Sequence, residues 1–256
     1  MKIFTLTKNS IISIFGCVLI GALALTITMN TATEIVSTAT EARDIPIYCV
    51  DRDDKKVAIS FDAAWGNEQT ETLLDILEEK QVTATFFLVG DWVEKFPESV
   101  KSIAQHGHDV GNHSDTHPYM TKLSDEEKTA ELQNCNEKIK ELIGKSPTLF
   151  RPPYGDYDNA VVKAVKNRNM YCVQWDVDSL DWKDPSPAQM VERITSKLTS
   201  GSIILMHNGA KNTPEALPQI IDAVRAEGYE FVPISELIPE GDYTTDHEGR
   251  MHTTEQ

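Results

Sequence analysis

The decisive stretch is VAISFDAAWG, residues 57–66. Five residues of β-favouring, mostly apolar character lead into Asp62, and Ala63 and Ala64 follow with no reactive group of their own. A short apolar run of this kind reads as a buried strand, and Asp62 then stands at its carboxyl end. Outward from it, strand and helix patterns alternate. Helical spacing covers Glu68–Lys80 through Leu73, Leu74 and Leu77, a strand covers Ala84–Val89, and a helix covers Glu94–His106. A brief strand follows at Asp109–Asn112. Ser124 and Glu127 have the S-x-x-E spacing of a capping box and open a helix to Ile143 that Gly144 closes. Strands at Thr148–Phe150, Tyr171–Val177, Ser202–Met206 and Tyr229–Val232 alternate with helices at Asn159–Arg168, Pro187–Leu198 and Pro214–Glu227. About seven βα units with short connections predict an α/β fold, and both a barrel and an open doubly wound sheet fit the pattern.

The flanks read differently. Ile11–Met29 is an unbroken uncharged run of 19 residues preceded by Lys2 and Lys8. It is long enough to cross the hydrocarbon layer, which predicts a single-pass cell-membrane anchor with residues 1–10 cytoplasmic and the remainder extracellular. Cleavage near Ser37-Thr38-Ala39 would instead give a secreted protein. Residues 30–50 read as a linker, 51–238 as the folded domain, and 239–256, with five acids and one arginine, as a disordered tail. His247 and His252 are expected to be solvated there. The four cysteines lack metal or scaffold spacing and are expected to be free thiols. Beyond the two N-terminal lysines, 22 basic residues face 40 acidic ones, which excludes a nucleic-acid binder held by a basic face.

In α/β folds the carboxyl ends of the strands carry the active site. Here those ends bring Asp62, then HSDTH (113–117), RPPYG (151–155), DSLDW (178–182) and IILMH (203–207). His113 and His117, four apart on a helix or tight turn, can grip one cation. Two prolines stiffen RPPYG, holding Arg151 as a carboxylate partner and the Tyr154 amide as an oxyanion donor. DSLDW offers Asp178 and Asp181, one of which can orient a histidine, beside Trp182. His207, at the open end of an apolar strand, suits a general acid.

These five segments, in this order from Val57 to Leu237, resemble the polysaccharide deacetylases of the NodB-homology group, carbohydrate esterase family 4, and most of all their sporulation-associated Gram-positive members. The resemblance implies a distorted (β/α)7 barrel and metal-assisted removal of acetyl groups from peptidoglycan or a chitin-like N-acetylglucosamine polymer. It casts Asp62 as the base, Arg151 as its partner, and His113 and His117 as ligands of a divalent metal, zinc first, with cobalt or nickel as alternatives. The Tyr154 amide becomes the oxyanion donor, and Asp178 the acid that tunes the catalytic His207. Trp182 and Leu205 become the walls of the acetyl pocket. A monomer, contacting glycan and membrane, is expected. The departure is Ala63, where most of the family has a third ligand; this implies weaker metal affinity, with water filling the shell, or a replacement ligand such as Asp62, Asp115 or Asn67. The alternative is a non-catalytic glycan-binding or scaffold protein that keeps the barrel.

Overall fold

The computed structural model describes residues 43–254. The predicted anchor lies outside them, and among the described residues no helix is long and apolar enough to cross a membrane. The central strand is β2 (Lys56–Ala63), every residue of which from Val57 onward is buried. It pairs in parallel with β3 (Thr85–Leu88) on one side and β8 (Ile203–His207) on the other. Beyond β3 come β4 (Asp109–Asn112), β5 (Leu149–Phe150) and β6 (Tyr171–Cys172). Beyond β8 lies β7 (Val177–Asp178), and β9 (Glu230–Phe231) pairs with the start of β2. Every pair in this sheet is parallel, as the alternating pattern requires.

The connecting helices are α1 (Thr70–Glu79), α2 (Gly90–Lys95), α3 (Pro97–Gln105), α4 (Asp125–Ile143), α5 (Asn159–Lys166), α6 (Pro187–Thr195), α7 (Thr213–Ala226) and α8 (Ile234–Leu237). The single helix expected over Glu94–His106 is two, because Pro97 has no N–H to continue α2 and instead starts α3. The capping box of α4 is present, with Ser124 Oγ accepting from the Glu127 amide and Glu127 Oε2 from the Ser124 amide. Alternation along β2 divides the core. Val57, Ile59, Phe61 and Ala63 belong to one apolar cluster with Leu73, Leu74 and Leu77 of α1. Ala58 belongs to a second cluster with Phe87, Ile203 and Val232, and Asp62 shares the period-two set of Ala58 and Ser60.

The sheet curls as a barrel does, but its path ends at β6 and β7 and no ladder joins these two among the described residues. The stretch 171–177, expected as one strand, is two short ones. Between them Asp176 turns its carboxylate to β8, accepting from the Ile203 amide and Ser202 Oγ, both at 2.7 Å. The open edge of β6 is covered from outside: Ile47 donates to the Cys172 carbonyl at 2.8 Å and accepts from the Gln174 amide at 2.7 Å.

Two of the expected boundaries need correction. Pro46, Ile47, Cys49 and Val50, assigned to the linker, are buried in the domain. Nor is the acidic end a disordered tail. β10 (Tyr243–Thr245) and β11 (Arg250–Thr253) form an antiparallel hairpin, and β11 pairs in parallel with β1 (Cys49–Val50). The physical reason is one apolar anchor and one turn. Met251 is fully buried, and Asp246 Oδ1 caps the turn by accepting from the amides of Glu248 and Arg250, both at 2.9 Å. His252 is likewise no free tail residue, standing between Asp51 and Asp246 at 2.9 and 3.3 Å. Cys49, Cys135 and Cys172 are free and buried, as expected.

Candidate active site

A cavity of about 640 Å³ opens at the carboxyl ends of the strands, lined by Asp62, Trp65, His113, His117, Tyr154, Trp175, Asp178, Trp182, Leu205 and His207. The catalytic, metal, oxyanion and acetyl-pocket candidates read from the five motifs are therefore gathered at one place, with Arg151 fully buried beside Asp62.

Asp62, one residue before the end of β2, is in register with His207 of β8. Its Oδ1 takes a charge-assisted hydrogen bond from Arg151 Nη1 at 2.8 Å. Arg151 also donates through Nη2 to the Gln174 carbonyl at 3.0 Å, and its guanidinium lies 4.1 Å from the Phe87 ring centroid. Burial alone would push the Asp62 carboxyl up, but the charge and hydrogen bond of Arg151 bring it below the usual carboxylate value. Asp62 is thus held ionised, with Oδ2 3.5 Å from His113 Nε2.

The two histidines sit on a tight turn, not a helix, with Ser114 and His117 both in the left-handed region at φ 69 and 61. Glu131 of α4 pins this turn by accepting from the amides of Asp115 and Thr116 and from Thr116 Oγ1, at 2.8, 2.8 and 2.7 Å. His113 Nδ1 is 2.7 Å from the Arg151 carbonyl. A carbonyl only accepts, so Nδ1 carries the proton and the neutral ring presents the Nε2 lone pair to the cavity. Burial lowers the pKa of His113, and burial with the neighbouring His113 lowers that of His117 to about 4. The two ring centroids are 4.9 Å apart.

Here the sequence reading of DSLDW needs its main correction. Asp178 does not hold His207: its Oδ1 accepts from the Leu180 amide at 2.8 Å. The chain then turns through Leu180, at φ 55, and brings fully buried Asp181 under His207. Asp181 Oδ1 meets His207 Nδ1 at 2.7 Å, while Oδ2 accepts from the His207 amide at 2.7 Å and from Thr213 Oγ1 at 2.9 Å. Burial would lower the His207 pKa, but the hydrogen bond and charge of Asp181, followed by the charges of Asp62 and Asp178, raise it above 6.5. Trp65 was also missed as a site residue. Its ring lies tilted against that of His207, with centroids 5.0 Å apart and planes at 34°.

A divalent cation would find two neutral imidazoles here, and of the replacement ligands expected for Ala63 only Asp62 lines the cavity, its carboxylate already paired with Arg151 through Oδ1. Ala63 is fully buried in the cluster shared with α1 and does not line the cavity. Asp115 does not line it either, since its Oδ1 pairs with Lys138 Nζ at 2.7 Å, and Asn67 is likewise outside the lining. Among the described residues no three His, Cys, Asp or Glu side chains form a group that could hold a metal ion. The residues therefore do not fit a three-ligand metal centre.

The chain belongs to the polysaccharide deacetylase family, whose model matches residues 50–173. Members of the family are in general metal-dependent. The chain is 40% identical to YlxY of Bacillus subtilis over 76% of its own length, and spans 61% of that protein. It is 35% identical to a peptidoglycan-N-acetylglucosamine deacetylase of Bacillus cereus, over 71% of this chain and 68% of that one. Among solved structures it resembles a CE4-family pseudoenzyme of Bacillus anthracis, 38% identical with a TM-score of 0.73, covering 75% of this chain and 68% of that one. A mutant of that pseudoenzyme, described as having restored enzymatic activity, matches at 39% identity and the same TM-score, covering 75% and 70%.

Proposed function

We propose that the protein hydrolyses acetyl groups from an N-acetylated wall glycan, peptidoglycan or a chitin-like N-acetylglucosamine polymer. In this reading it works outside the cell membrane, tethered through residues 11–29. The observation that carries the proposal is a pair of oriented groups sharing one cavity: Asp62 held ionised by Arg151, and His207 held by Asp181. Asp62 Oδ2 takes a proton from water, whose oxygen attacks the acetyl carbonyl. The Tyr154 amide, in the stiff RPPYG turn, is the proposed donor to the oxyanion. His207 Nε2 then delivers its proton to the departing amine as the C–N bond breaks, leaving acetate and a free amino sugar. Leu205 and Trp182 wall the acetyl methyl, with Leu205 buried at the floor and Trp182 half-exposed at the rim.

A second reading is favoured by one observation, the missing third ligand at Ala63: a glycan-binding protein that retains the barrel without turnover. Acetate release from N-acetylglucosamine oligomers and peptidoglycan, measured without added metal and with zinc, cobalt or nickel, separates the two. The deacetylase reading expects release that falls by about 10²-fold or more in Asp62→Asn and in His207→Ala. No release under any condition, with glycan binding retained, would establish the binding protein instead.

A further inference from the structure

In a chain with 40 acidic residues against 24 basic ones, a place where positive charge collects calls for a reason. A second cavity, of about 440 Å³, lies between α6 and the loop that follows β7. Three of its lining residues are basic, Lys183, Arg193 and Lys197, and only Glu192 is acidic. Positive charge therefore prevails here, against a formal net charge of −16 for the whole chain. Arg193 lies in the last turn of α6 and Lys197 just beyond it, where a helix favours cations. That explains these two, but not Lys183, which reaches the same cavity from the loop.

Arg193 is the fixed part of the arrangement. It is half-buried, and its Nε donates to the Asp178 carbonyl at 2.7 Å. Among the described residues its two Nη groups meet no carboxylate, so one edge of the planar fork is held and the other is free. Lys183 Nζ lies 4.6 Å from the Trp182 ring centroid and also has no acidic partner there. The cavity shares a loop with the candidate active site. Ser179 and Leu180, in its lining, directly follow Asp178 of the active-site cavity, and Lys183 follows Trp182.

We propose that this cavity binds a carboxylate carried by the glycan, so that the protein prefers a glycan with acidic substituents to a neutral one. The proposal rests on the glycan reading above and adds the charge of the ligand. The Arg193 fork matches the two oxygens of a carboxylate, and Lys183 and Lys197 supply the field that draws it in. Glu192 in the lining and Asp184 beside Lys183 keep the positive surplus small, which suits a singly charged carboxylate better than a doubly charged phosphate.

The test is calorimetric titration of the full chain, at low salt, with two tetrasaccharides of alternating N-acetylglucosamine and its lactyl ether. One carries the lactyl groups as free acids and the other as neutral amides, so the two differ in charge and hardly in shape. The wild-type protein is expected to bind the acid about tenfold more tightly than the amide. Arg193→Gln should abolish that advantage, and Lys197→Gln, which removes only a surface charge, should lower it about two- to threefold. Both variants should leave the affinity for the amide unchanged. Equal wild-type affinity for acid and amide overturns the carboxylate site and leaves the glycan reading standing. So does an advantage that survives in Arg193→Gln, or, if that variant fails to fold, in Lys197→Gln at full size. No binding of either tetrasaccharide overturns the glycan reading and the carboxylate site together.

Discussion

At the scale of single residues, the chemistry turns on what each buried charge faces. His207 is in contact with Asp181 through both its ring and its backbone amide, so Asp181 sets its orientation, its tautomer and its raised pKa together. Nδ1 must carry the bridging proton, which leaves Nε2 directed at the cavity. Because the folded pKa lies above 6.5, the imidazolium contributes stability that is complete below that value and is lost as pH rises through the folded one. Asp181→Asn is expected to lower the His207 midpoint in an NMR titration and to reduce acetate release by about 10²–10³-fold. An unmoved midpoint would return the tuning role to Asp178. Sequence alone narrowed the choice to these two acids, three positions apart in one motif. It could not separate them, because a single left-handed residue, Leu180, decides which one turns back beneath the histidine.

At the scale of elements, α4 does more than cover the sheet. Its Glu131 takes three hydrogen bonds from the turn that carries His113 and His117, a link of about 15 residues in sequence that no local pattern announces. Glu131→Ala leaves those donors without an acceptor, which is expected to cost about 1–3 kcal/mol and to speed amide hydrogen exchange at residues 114–117. Unchanged exchange would show that the turn holds itself. The Trp65 wall depends on a comparable fit between elements. A Cβ on Gly209 would lie 2.5 Å from the Trp65 carbonyl and 2.7 Å from its indole nitrogen, so only glycine after β8 lets the indole settle over His207. The strand and helix periods of β2, α1 and α4 were legible because each buries one face. The break in 171–177 was not, since an apolar run reads the same whether or not Asp176 diverts its middle.

At the scale of the whole molecule, the acidic C-terminal segment closes back on the start of the domain. β11 pairs with β1, and Met251 is buried against residues that precede β2. Truncation after Glu240 is therefore expected to lower the melting temperature by about 5–10 °C, measured by circular dichroism, whereas a disordered tail would leave it unchanged. Composition concealed this hairpin because five acids and few large apolar residues outweigh one methionine in any average. What the sequence by itself determined is the parallel α/β order and the set of strand ends where chemistry collects, since burial periodicity and motif order are local properties of the chain. What only the tertiary structure decided is which partner each of those residues meets. Asp181 rather than Asp178 under His207 and Ala63 in the apolar cluster with α1 both depend on the direction a side chain takes after a turn, which neighbouring residues in sequence do not fix.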